Sequence, residues 1–236
     1  MITDLTIIIQ GRHEVEQMKL WISNYSNWNV ILSVWEDFDM DTEIPSNWKL
    51  IKSKYPKRFG EWCQNVDLQI VSTLNGLKEV NTKYVIKVRA DEYYTSLHKV
   101  YDRIKEVYPK VVCSSIFFRP LYLYPFHISD HIIASTTEHI KTMFEKAYDN
   151  FQNGIRINTA PESHLGYGFL SAMETWNINE MGYQADNLSE EAMRRWFNIF
   201  DVNELIPFIA TENSPDGRIY YRDHFGYGSH NIKEIV

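Results

Sequence analysis

Lys87, Arg89 and Asp91 share one face of the stretch YVIKVRADEYY, residues 84–94, when it is read as a strand of period two. Two cations followed by acids at a strand end is a pattern able to hold a phosphorylated ligand. If helices cover both sides of the strand, the cations need an anionic partner, because a buried charge without one is costly. An acid at the strand end can hold a divalent cation, Mg²⁺ or Mn²⁺, since both prefer oxygen ligands. A metal-bound diphosphate would meet all three side chains, and the ion would lower the charge on a leaving diphosphate. The competing reading is a strand face turned to water.

A second pattern lies just upstream. Asn65, Gln69, Ser72 and Gly76 recur at helical spacing and form an uncharged polar stripe along residues 65–80. A stripe facing water more often carries Lys and Glu. Amides turned inward have hydrogen-bond partners, so the stripe points either to a ligand site or to a polar loop packed on the helix.

The elements that must position these residues follow from periodicity. Apolar runs at 5–12, 28–37, 48–53, 84–94 and 110–118 read as strands. Helical patterns fall at about 13–25, 65–80, 96–108, 136–151, 160–176 and 189–197. Residues 119–131, rich in proline and aromatics, read as a loop over the sheet. Alternation of strand and helix in the first half predicts an α/β domain with a mostly parallel sheet. Ligands of such sheets bind beyond the carboxyl ends of the strands. That rule brings residues 10–12, 35–37 and 89–92 to one edge.

Composition narrows the function. The 236 residues carry a net charge of −7, against the basic surface that a nucleic-acid partner requires. The sequence has no apolar run long enough for a transmembrane segment, and MITDLTIIIQGRHE lacks the pattern of a signal peptide. The two cysteines, Cys63 and Cys113, are too few for a disulfide framework. The expectation is a cytoplasmic protein.

The segments IIIQGR, ILSVWED, NVDLQIVSTLNGLKEVNTKYVIKVRADEYY, FHISDH and PESHLGYGFL, spread in order over residues 5–169, resemble the WavE-type lipopolysaccharide-synthesis glycosyltransferases and related domains of large algal viruses. The most specific part is the block 65–94. The resemblance implies a GT-A fold, a Rossmann-like three-layer sandwich. It is expected to span residues 1–236 as one domain, with a nucleotide-binding half at about 1–118 and an acceptor-side half at about 119–236. It also implies transfer of a sugar from a nucleotide-diphosphate donor to a glycan or glycoprotein acceptor. In that fold an Asp-x-Asp motif ends the central strand and binds metal, ribose and diphosphate. The matching triplet here is Arg89-Ala90-Asp91, with arginine in place of the first acid. Asp91 is then the metal ligand and Glu92 its helper, while Arg89 can pair with a phosphate directly and lessen the dependence on metal.

Gln10, Gly11 and Arg12 are expected beside the nucleotide, where Gly11 lets the backbone come close, or else forms an ordinary strand-to-helix turn. Asp37 would accept from base or ribose, or cap a helix. Asn65, Gln69 and Lys87 complete the donor set. In an inverting reaction a carboxylate takes the acceptor hydroxyl's proton, and Asp130 and Glu162 are the two candidates. Glu162 opens a helix, whose dipole favours its ionised form, and that alone would account for a glutamate there. His127, His131, His164, His224 and His230 are not assigned chemistry. Two other readings stand beside the transferase: a glycan-binding or scaffold protein of the same fold, and a sugar nucleotidyltransferase. The segment QGRHEVEQ lacks the glycine-rich basic loop expected of the latter.

Overall fold

A computed structural model of the protein describes residues 2–12, 15–39, 43–59, 65–115, 124–155, 157, 162–174, 185–205 and 208–209. Cys63, His224, His230 and the tail with its turn at 215–217 lie outside these residues. The strands are β1 (Leu5–Gln10), β2 (Val30–Trp35), β3 (Lys49–Ser53), β4 (Tyr84–Arg89), β5 (Tyr93–Tyr94), β6 (Val111–Ser114), β7 (Ile132–Thr136), β8 (Phe197–Phe200) and β9 (Phe208–Ile209). The helices are α1 (Val15–Tyr25), α2 (Val66–Leu77), α3 (Leu97–Val107), α4 (Thr137–Gln152), α5 (Ser163–Met173) and α6 (Ala185–Trp196).

Seven strands form one sheet in the order β3-β2-β1-β4-β7-β6-β8. Every neighbouring pair is parallel except those made by β7, which runs against both β4 and β6. The expected α/β sandwich with a mostly parallel sheet is therefore the fold. A small ribbon of β5 and β9 lies apart from the main sheet.

The sheet is covered on both faces, as the apolar runs require. Ile7 and Ile9 pack on one side with Met18 and Trp21 of α1 and Val100 and Ile104 of α3. Ile8, between them, packs on the other with Ile70 of α2 and Met143 of α4. α5 and α6 share that second layer through Phe169 and Met193. Each fully buried Ile or Leu contributes about 1.5–3 kcal/mol, so these two layers hold the strand ends in fixed relation.

Four elements differ from their sequence reading, β9 among them. The strand expected at 84–94 ends at Arg89; Ala90–Glu92 turns, and two residues resume as β5. The turn is pinned by aromatics: Trp21 Nε1 donates to the Glu92 carbonyl at 2.6 Å and Tyr25 Oη to the Tyr94 carbonyl at 2.6 Å. β7 and β8 were not anticipated. Cys113 is a buried core residue of β6, its thiol pushed up to about 12 by burial.

His164 of α5 is fully buried and stacks on Phe151 at 4.5 Å, where its Nε2 accepts from the Ile157 amide at 3.3 Å. It therefore does not act in the cavity. Burial lowers its pKa from 6.5 to about 4. The unfolded chain then binds a proton that the folded chain refuses, so stability is intact above pH 6.5 and falls as pH drops toward 4. About 2 kcal/mol should be lost between pH 7.5 and pH 5 from this group. Urea unfolding at both pH values should show that loss shrink in His164→Gln.

Candidate functional site

The carboxyl ends of β1, β2 and β4 meet at one edge, and their ladder continues past the strands. Gln10 pairs in register with Arg89 and with Ser33. The Gly11 amide donates to the Ser33 carbonyl at 3.0 Å, and the Ala90 amide to the Gln10 carbonyl at 2.8 Å. Gly11 has φ +103° with open space around it; the turn, not crowding, is what calls for glycine there.

A cavity of about 360 Å³ opens at this edge. Gln10, Gly11 and Arg12 line it from the end of β1, and Arg89 and Asp91 from the end of β4. Asn65 and Gln69 line it from α2, and Asp130 and Glu162 close it from the second half of the chain. Nine of the eleven nominated residues thus share one space. The other two stand behind it. Asp37 accepts at 3.1 Å from the hydroxyl of Tyr55, which does line the cavity. Lys87 is fully buried and donates to the Asp130 carbonyl. Its expected contact with phosphate is corrected here: two residues nearer the strand's start, it is covered by the segment that carries Asp130. Burial pushes Lys87 down to about 8, against the pull of Asp130.

The polar stripe of α2 has its partners inside. Gln69 Nε2 donates to Asp130 Oδ2 at 2.5 Å, and Ser72 Oγ donates to Gln10 Oε1 at 2.5 Å. Ser33 Oγ donates to the Ser72 carbonyl at 2.6 Å, and Gly76 lies flat against Ile8 and Ser33. One helix therefore fixes the side chain that ends β1 and the carboxylate that precedes β7.

Arg89 is the electrostatic centre. Its Nε and Nη2 sit 3.1 and 2.9 Å from the two oxygens of Asp91. The same guanidinium is 3.7 Å from Glu92 and 3.8 Å from Asp130. Burial disfavours its charge, but Glu92, Asp130 and Asp91 outweigh this and hold it firmly protonated. Asp130 is likewise penalised by burial, yet His131, Arg89, Lys87 and the Gln69 amide hold it well below the usual carboxylate range. Glu92 is turned inward: Tyr94 Oη donates to it at 2.6 Å and His131 Nδ1 bonds its other oxygen. Its expected role beside a metal is corrected by that commitment. Glu162 sits just before α5, makes no capping hydrogen bond, and has His127 Nε2 at 3.9 Å.

The divalent cation expected at Asp91 does not fit the residues around it. Both Asp91 oxygens already face a guanidinium, so a divalent cation could take them only by displacing Arg89 from its bidentate pair. Among the described residues no group of three His, Cys, Asp or Glu side chains is arranged to hold a metal.

The sequence model of the WavE lipopolysaccharide synthesis family matches residues 23–167, more than half of the chain. The chain belongs to that family. The WavE match runs from α1 into α5 and takes in Asn65, Gln69, Arg89, Asp91, Asp130 and Glu162; Gln10, Gly11 and Arg12 precede it. No curated protein matches by sequence. Among solved structures the WavE-family chain is similar to HddC from Yersinia pseudotuberculosis, at 12% identity and a TM-score of 0.36, over 59% of this chain and 79% of that one. No helix among the described residues is long and apolar enough to cross a membrane.

Four lining residues were not nominated from sequence: Val66 and Leu68 of α2, and two aromatics. Trp35 ends β2, and Tyr55 stacks on it with ring centres 4.6 Å apart and planes 18° off parallel. Tyr55 follows the end of β3 by two residues, so the strand-end rule that nominated Arg89 would have found it had β3 been weighted equally.

Proposed function

We propose that this WavE-family chain is a glycosyltransferase of lipopolysaccharide synthesis, moving a sugar from a nucleotide-diphosphate donor to a hydroxyl of a glycan acceptor. The observation that carries the reading is the meeting of nine nominated residues in one cavity at the carboxyl edge of a mostly parallel sheet, where α/β folds bind ligands. The aromatic stack of Trp35 and Tyr55 offers a flat surface for a base at the end served by β2 and β3. Arg12 and Arg89 face the diphosphate, since a planar guanidinium suits a phosphate.

The chemistry is a single displacement with inversion. The acceptor oxygen forms a bond to the anomeric carbon while the bond from that carbon to the diphosphate oxygen breaks. The acceptor's proton passes to Glu162, and the electron pair leaves with the nucleoside diphosphate. Glu162 suits the role of base better than Asp130. Asp130 is held by Gln69 and neighbouring cations, and a carboxylate so stabilised as an anion is a weak proton acceptor. Its part is to orient groups at the cavity floor.

The test is incubation with UDP-, GDP- and dTDP-linked sugars and a lipopolysaccharide acceptor fraction. Release of nucleoside diphosphate with a matching mass gain on the acceptor is expected for one donor. A folded protein that releases none from any of them would sink the reading.

A further inference from the structure

Building on the glycosyl-transfer reading, we propose that Arg89 stands in for the divalent cation: its guanidinium balances the carboxylates at the end of β4 and takes the donor diphosphate directly, so the nucleotide binds without metal.

The geometry behind this is the placement of a single guanidinium among three carboxylates. Asp91 is bound bidentately at 2.9 and 3.1 Å, and Glu92 and Asp130 stand at 3.7 and 3.8 Å. A metal ion in a carboxylate site occupies that kind of position, bridging acids that would otherwise repel one another. Here the cation is tethered to the strand, and its side chain keeps 19% exposure toward the cavity. An entering diphosphate presents oxygens of the same kind as those of Asp91, so the guanidinium can turn its bonds from carboxylate to phosphate, and Arg12, which lines the same cavity, adds a further cation for the added negative charge. Lys87, buried beneath Asp130, adds a second fixed cation at the same end of β4. The arginine in the triplet Arg89-Ala90-Asp91 is then a replacement that supplies charge as well as removing a ligand.

Calorimetry on the full chain with UDP, GDP and dTDP, each with EDTA and with Mn²⁺, tests the proposal, alongside a titration of Mn²⁺ alone. The nucleotide that binds should do so with a Kd that changes less than about threefold between EDTA and Mn²⁺. Mn²⁺ alone should show no saturable binding. Arg89→Ala should weaken the nucleotide by about 10- to 100-fold, and Mn²⁺ should restore part of that loss, because the carboxylates are then without their tethered cation. Arg89→Lys keeps the charge and loses the fork, so it should fall between the two and covers the case in which Arg89→Ala fails to fold by circular dichroism. Nucleotide binding that requires Mn²⁺ in the unsubstituted chain, or saturable Mn²⁺ binding without nucleotide, overturns this proposal and leaves glycosyl transfer standing. A folded chain that binds no nucleotide under either condition brings down both.

Discussion

Glu162→Gln is expected to lower kcat by about 10²- to 10⁴-fold, with donor affinity unchanged within about twofold. Glutamine keeps the side chain's size and leaves α5 in place, but it cannot take the acceptor's proton. The residue lines the cavity and makes no capping hydrogen bond to its helix. Proximity to the positive end of α5 favours the anion, the form a base must have before attack. The measurements are steady-state kinetics and donor calorimetry on the same preparation. A variant with kcat near that of the unsubstituted chain would remove Glu162 from the chemistry. A variant that loses donor binding instead would make it a donor contact. Asp130→Asn run in parallel separates the two carboxylates: it should lose binding and stability together, because Gln69 and Arg89 both lean on its carboxylate.

Gly166→Ala should be the most destabilising small substitution at the site's support. A β-carbon at residue 166 would lie 2.0 Å from the Phe126 carbonyl oxygen and 3.1 Å from its carbon. These are backbone atoms, so no side-chain rotation relieves the clash. Phe126 cannot easily give way: it takes φ 62°, rare for a residue of its size, and its ring is buried against Tyr167. A cost of about 3 kcal/mol or more is expected, a fall in Tm of roughly 10 °C for a chain of this size. Activity should fall too, because Gly166 sits in the helix that follows Glu162 and Phe126 in the segment that leads to Asp130. Thermal unfolding within a degree or two of the unsubstituted chain would show that α5 can slide away from that carbonyl.

The buried strands were legible because continuous apolar runs admit little else, and the strand-end rule then collected Gln10, Arg89 and Asp91 at one edge. β7 was missed for a local reason. It ends at Thr136 and α4 begins at Thr137, with the Thr136 side chain accepting from the His139 amide at 3.3 Å. With no turn residues between them, the change of period from two to 3.6 leaves no punctuation to read. Lys87 shows a different limit. Period two assigns it correctly to the face of Arg89, but depth along a strand is set by what covers it, and the covering segment lies some forty residues later. The inward turn of Glu92 depends on Trp21, Tyr94 and His131, which no spacing rule connects. The stripe of α2 announced buried hydrogen bonds without naming their partners, since those come from β1 and from the approach to β7.

Because β7 alone runs against its neighbours, it is entered, not left, at the edge where the cavity opens. Residues there come both from chain that has just finished a strand and from chain about to begin one. β6 and β7 pair with each other in the sheet, so the chain that joins them leaves and re-enters at fixed points, and lengthening a connection of that kind adds little closure cost. A lineage can rewrite that stretch, but only together with what Phe126 and Asp130 touch, Tyr167 of α5 and Gln69 of α2, while the four parallel strands of the first half keep their register. Chimeras cut at Ser114 and Ile132 should therefore carry Gln69 and Tyr167 from the same parent as the exchanged stretch.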